Sequence, residues 1–141
     1  MVKIKFITLG KTKTTCLETA LQEYTKRLHP LATIEWVFHK NLKELERVLK
    51  GLPSFIALDS QGFSCNSLQF ASLIQKEMRE RGPRLTLVIG GDLGLSEAIK
   101  KECSLLLSLS PLTFTHQMTR LILLEQLYRA FEINKGSPYH K

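Results

Sequence analysis

The sequence predicts an α/β fold, a mostly parallel sheet with helices on both faces. Three observations point there. Segments with strand patterning alternate with segments of helical spacing along the whole chain. The run Leu85 to Ile89 is apolar but for Thr86, as expected of a strand buried on both faces. Glycine or proline stands at most junctions where one element must stop: Gly10, Pro30, Gly51 with Pro53, Gly82-Pro83, and Gly90. The length, 141 residues, suits one domain spanning 1–141.

Val2, Ile4 and Phe6 alternate with Lys3 and Lys5, and Ile7 to Leu9 run on into Gly10, which makes a first strand. Thr15 and Glu18 have the spacing of a capping box. The helix they open would bury Leu17, Ala20, Leu21, Tyr24 and Leu28 and stop at Pro30. Thr33 to Phe38 reads as a second strand. Leu42, Leu45 and Leu49 mark a short helix ended by Gly51 and Pro53. Ser54 to Leu58 is a short apolar strand running into a turn, Asp59-Ser60-Gln61-Gly62. Asn66 starts a helix with Phe70, Leu73, Ile74 and Met78 on its apolar face, ending near Gly82-Pro83. Leu85 to Ile89 is the fourth strand. The turn Gly90-Gly91-Asp92-Leu93-Gly94 and a short helix from Ser96 follow it. Leu105 to Leu109 is the fifth strand, and a long helix runs from about Thr115 to Asn134.

The composition is that of a globular chain, with 43% apolar residues. No stretch is apolar for the length a bilayer span requires, and the N-terminus alternates basic and apolar residues instead of forming a signal peptide. The expected location is the cytoplasm, with no membrane partner. Cys16, Cys65 and Cys103 are odd in number and widely spaced, so neither a disulfide framework nor a metal site is expected. The net charge of +7 points to a polyanionic partner, nucleic acid first.

In parallel sheets, ligands bind beyond the carboxyl ends of the strands. Three loops occupy that position: Asp59 to Gly62, Gly90 to Gly94, and Ser110 to Thr115. The glycine turn either lets backbone approach a ligand closely or is simply a tight strand-to-helix turn. It matches neither the dinucleotide nor the nucleoside-triphosphate fingerprint. Backbone groups in the Leu107 to Gln117 stretch could read an adenine edge while Leu112 and Phe114 cover its faces. The alternative is a helix entry capped by Thr113 or Thr115. On the long helix Leu121, Leu124, Leu127, Tyr128 and Phe131 form one stripe, and Met118, Ile122, Glu125 and Arg129 another. That much apolar surface suggests a subunit interface as well as a core. Glu125 and Arg129 have the spacing of an ion pair across one helical turn. His116 and His140 lie near these loops. Tyr139-His140-Lys141 could stack on a nucleobase and hold a phosphate, or could be a frayed tail.

Four of these stretches, Gly90 to Ser96, Leu107 to Gln117, Leu123 to Ala130 and Gly136 to Lys141, resemble one family in order and spacing. So do Lys3 to Lys11 and Gln22 to Leu28. The family is the bacterial large-subunit ribosomal RNA pseudouridine N3-methyltransferases (RlmH type), a branch of the SPOUT class. The resemblance implies a homodimer with a C-terminal trefoil knot. It also implies S-adenosylmethionine held by Leu58, Gly90, Leu109, Ser110, Pro111, Leu112, Thr113 and Phe114. It implies N3-methylation of a pseudouridine in 23S ribosomal RNA, on the assembled ribosome, with the tail of one subunit completing the pocket of the other. The connection from Phe38 to Ser54 is shorter than in the family, and Asp92 stands at a variable position.

A pseudouridine N3 carries a proton that must leave. His140 and His116 are the candidate bases, and Tyr139 and Arg129 the candidate positioning or charge-stabilising groups. A mechanism without a dedicated protein base stays open. Lys11 and Lys13 are the best-placed basic residues for RNA outside the tail. Two other readings stay open too: a SPOUT methyltransferase with a different acceptor such as tRNA, and a non-enzymatic ribosome-binding factor on the same fold.

Overall fold

In the computed structural model, which describes residues 1–141, strands Val2–Leu9 (β1), Ala32–His39 (β2), Ile56–Ser64 (β3), Arg84–Ile89 (β4) and Leu105–Ser108 (β5) alternate with helices. The helices are Thr15–Leu28 (α1), Leu42–Leu49 (α2), Ser67–Arg81 (α3), Glu97–Glu102 (α4) and His116–Lys135 (α5). The sheet order is β2-β1-β4-β3-β5, and every pairing is parallel. The expectation of a mostly parallel sheet is met in full.

Strand alternation distributes the core to both faces. Ile4, Phe6 and Leu87 join Leu21, Phe70, Ile74, Leu123 and Leu127 from α1, α3 and α5. Ile7, Ala57 and Val88 join Leu45, Leu49 and Ile99 from α2 and α4. Successive β4 residues therefore feed opposite cores, which is why Leu85 to Ile89 contains no polar interruption except Thr86. Each of these Leu, Ile, Val and Phe side chains contributes roughly 1.5–3 kcal/mol by its burial.

The helix starts follow side-chain capping except at α1. Asn41 accepts from Glu44 N at 2.9 Å, and Asn66 forms a reciprocal box with Gln69. Thr115 accepts from Met118 N at 3.2 Å and so is the cap of α5. The expected box of Thr15 and Glu18 does not form. The cap position falls to Thr14, without a side-chain bond, and Thr15 is already helical, its carbonyl accepting from the Thr19 hydroxyl.

The expected turn at Asp59 to Gly62 also needs correction. β3 does not end at Leu58. Leu58 and Phe63 both stand opposite Leu107, so the intervening residues are looped out of a strand that then resumes to Ser64. Gly62 makes that return possible. A Cβ there would lie 2.6 Å from the backbone carbonyl of Leu106, and side-chain adjustment cannot relieve a contact with backbone.

Candidate functional site

The carboxyl ends of β4 and β5 and the looped-out middle of β3 converge on an open cleft of about 500 Å³, within the size range of small-ligand sites. Leu58 and Asp59 enter it from β3, Gly90 to Gly94 from β4, the segment after β5 from the third side, and His116 and Thr119 from the first turn of α5. Of the predicted cofactor positions, Leu58, Gly90, Leu109, Ser110, Leu112, Thr113 and Phe114 line this one cleft. Pro111 is exposed and does not line it.

Each loop is shaped locally. Gly94 sits at φ +74°, and its N–H donates to Gly91 O at 2.9 Å, closing a turn that leaves Leu93 97% exposed. The Ser110 hydroxyl accepts from Leu112 N at 2.9 Å, and the Ser108 hydroxyl donates to Ser110 O at 3.1 Å. The backbone–backbone hydrogen bonds outside helices and strands include none from residues 109–114. Apart from Leu112 N and Ser110 O, which the two serine hydroxyls occupy, the N–H and C=O groups of this segment are thus available along the cleft wall. Asp59 is committed elsewhere, since Lys100 Nζ lies 3.1 Å from its carboxylate and Gln61 N donates to it.

His116 has a side chain only 17% exposed, with Nε2 3.8 Å from Asp92 Oδ1 and a buried, unpartnered Nδ1. Burial holds its pKa below the ordinary 6.5, outweighing the nearby Asp92 carboxylate. The ring is therefore neutral at pH 7. Because the unfolded chain takes up this proton more readily, stability is complete above about pH 6.5 and is lost as pH falls through the lower folded value. Urea unfolding between pH 7.5 and 5 should show that decline, flattened in His116→Gln. An unchanged slope would show that another group causes it.

The other predicted catalytic residues form a second cluster on the far half of α5. Arg129 grips the Glu125 carboxylate through Nε (3.3 Å) and Nη2 (2.9 Å), so the expected pair exists. The Tyr139 hydroxyl donates to the same carboxylate at 2.8 Å, and the Tyr128 and Tyr139 rings meet edge to face at 4.9 Å. Burial, followed by the bond to Glu125, pushes the Tyr139 phenol up to about 12, so it stays protonated. The Glu125 bond raises the pKa of Arg129, which stays charged. Arg129 Nη1 lies 3.1 Å from His140 Nδ1. A guanidinium only donates, so Nδ1 must accept and the neutral ring carries its proton on Nε2. The group His140 offers outward is an N–H donor.

The two clusters are not adjacent within one chain. Thr119 and Arg129 are ten positions apart on one continuous helix, roughly 15 Å along its axis. The sequence reading also missed Arg120, which is 0% exposed and donates to Leu9 O (2.7 Å), Gly10 O (2.7 Å) and the Thr12 hydroxyl (3.0 Å). The available signal was a charged residue among Leu123, Leu124 and Leu127 on the inward stripe. It becomes readable only once β1 is known to end against α5.

The geometry defines a class, a parallel α/β protein with an open cleft of small-ligand size at the carboxyl ends of its central strands. The profile of the family described as "Predicted SPOUT methyltransferase" matches residues 2–140, and the chain belongs to this family. A relative from Protochlamydia amoebophila, named ribosomal RNA large subunit methyltransferase H, is 46% identical over 141 residues, covering 100% of both chains. A probable methyltransferase from Bordetella pertussis has a similar fold, with TM-score 0.57 and 13% identity over 92% of this chain and 96% of that one. So does a Legionella pneumophila protein solved with bound SAM, with TM-score 0.51 and 13% identity over 92% of this chain and 66% of that one.

Proposed function

We propose that this chain uses S-adenosylmethionine to methylate N3 of a pseudouridine in 23S ribosomal RNA, acting as a homodimer on the assembled ribosome in the cytoplasm. The observation that carries the reading is the cleft. It gathers Leu58, Gly90 and the Leu109 to Phe114 loop into one wall, in a chain 46% identical over its full length to a relative named as a large-subunit ribosomal RNA methyltransferase. No helix is long and apolar enough to cross a membrane.

The residues fit the cofactor. Leu109, Leu112 and Phe114 offer apolar cover, the backbone groups of residues 109–114 other than Leu112 N and Ser110 O offer donors and acceptors to an adenine edge, and Gly90, lacking a Cβ, lets the glycine turn close against Gly94. Pro111 fixes the path of the loop from outside the cleft. When bound, S-adenosylmethionine supplies an electrophilic methyl group on a sulfonium. The tail cluster supplies donors and positive charge: the His140 Nε2–H, the Arg129 guanidinium and, beside them, a protonated Tyr139. Such groups position the base and stabilise negative charge on it as its proton leaves. Neither His140 nor Tyr139 is poised to take that proton. His116, neutral and in the cleft, is the imidazole free to accept one.

The distance along α5 separates the tail from its own chain's cleft, which supports a composite site in which one subunit's tail meets its partner's cofactor. Leu93, Leu112, Phe114 and Met118 are exposed around the cleft and supply apolar surface for that contact. The C-terminal knot belongs with the same reading.

His140→Ala should lower turnover roughly 100-fold, at the lower end of what a lost donor to developing charge costs, with cofactor affinity nearly unchanged. His140→Gln, whose amide N–H replaces Nε2–H, should retain most activity. Equal loss in both would show that His140 acts as a base. The reading itself is tested by transfer of labelled methyl to ribosomes lacking the modification, with free large-subunit RNA and tRNA alongside. Label confined to a pseudouridine of large-subunit RNA supports it. Label on tRNA alone means a different acceptor, and absence of cofactor binding favours a binding factor.

A further inference from the structure

We propose that the groove between α1 and the free edge of β2 binds an unstacked nucleobase of the RNA substrate, as a second contact remote from the methylation cleft. The proposal rests on the reading that the substrate is RNA. The groove encloses about 830 Å³, at the opposite edge of the sheet from β5.

Its floor is aromatic. Trp36 and Phe38 are successive same-face residues of β2, with rings parallel to within 5° and centroids 6.1 Å apart. Behind them the buried Phe6 stacks on Trp36 at 4.3 Å, and the Arg120 guanidinium lies 5.4 Å from the Phe38 ring. The rings are thus held in fixed orientation, while Phe38 remains 37% exposed. A fixed, exposed aromatic surface is what a splayed-out base stacks on.

The rim favours a nucleotide over a peptide. Lys11, Lys26 and His29 face Glu18 as the one acid in the lining, and Thr25 and Gln22 stand ready to hydrogen-bond a base or ribose. β2 pairs only with β1, so its outer edge presents unpaired backbone N–H and C=O groups. Lys11 is also held in place relative to the cleft. Gln117 on α5 donates to Lys11 O (3.3 Å) and accepts from Lys13 N (3.2 Å), one residue from His116. A basic loop, Lys11 to Lys13, therefore joins the groove to the first turn of the helix that walls the cleft.

Trp36 is the only tryptophan, so its emission reports this groove alone. Titrating the full chain with a single-stranded RNA octamer should quench that emission saturably. Inorganic polyphosphate and S-adenosylmethionine should not. Phe38→Ala should weaken octamer binding roughly tenfold, the value of one lost stacking contact, with cofactor affinity unchanged, and Phe38→Tyr should restore it. No quenching, equal quenching by polyphosphate, or a change that follows protein concentration without RNA would overturn the proposal, the last by identifying a second copy as the occupant. Methyl transfer to ribosomes is measured on the same samples. Transfer with a silent Trp36 defeats this proposal alone, whereas failure to bind S-adenosylmethionine defeats the functional reading.

Discussion

Replacing Gly90 with valine should lower affinity for S-adenosylmethionine roughly 100-fold or more, about 3 kcal/mol. Gly90 is buried at the end of β4. A Cβ at this position would lie 3.0 Å from the Gly94 carbonyl carbon, 3.2 Å from its Cα and 3.3 Å from its oxygen. All three are backbone atoms, in a turn closed by Gly94 N on Gly91 O, so no rotamer change relieves the contact. The turn must open, and the same turn is one wall of the cleft. Alanine should have a smaller effect, because it asks for a few tenths of an ångström where valine adds two methyl groups beyond. Calorimetric titration with the cofactor checks the affinity, and a thermal midpoint checks that the sheet survives. Wild-type affinity in the valine variant would refute the assignment of this cleft.

Arg120→Leu should cost about 3 kcal/mol of folding stability. The substitution strips the donors from Leu9 O, Gly10 O and the Thr12 hydroxyl, and each hydrogen bond to a charged group contributes roughly 1.5–3 kcal/mol. Relief from burying the guanidinium, which lowers the pKa of Arg120, offsets part of that loss. His116 and Thr119 flank the clamp and line the cleft, so cofactor binding should weaken as well. Urea unfolding monitored by circular dichroism gives the stability. Loss under about 1 kcal/mol would mean that water replaces the guanidinium at the carbonyls.

What the sequence could show followed from local physics. Alternation at Val2 to Leu9, the helical spacing of Leu17 to Leu28 and the mainly apolar Leu85 to Ile89 run are each set by which faces a segment buries. They located the elements and the three loops that meet at the cleft. What it could not show depended on partners distant in sequence. The loop at Asp59 to Gly62 reads as a strand end until Phe63 is seen to resume opposite Leu107. Trp36 and Phe38 read as ordinary strand residues until β2 is known to be an edge. The caps show the same boundary: Asn66 with Gln69 formed its box, while Thr15 with Glu18 has equal spacing but sits one residue too far into the helix.

The clamp at Arg120 has a consequence for folding kinetics. It joins residues 110 and 111 positions apart in sequence, and the sheet's central pairing sets Lys3 beside Arg84. Such contacts close very long loops before any stabilisation is returned, and high contact order slows folding. During synthesis, β1 must wait for β4 to emerge, and the loop after β1 must wait for α5. The cleft needs the looped-out middle of β3 and the ends of β4 and β5 together with the first turn of α5, so it is among the last features of the molecule to exist.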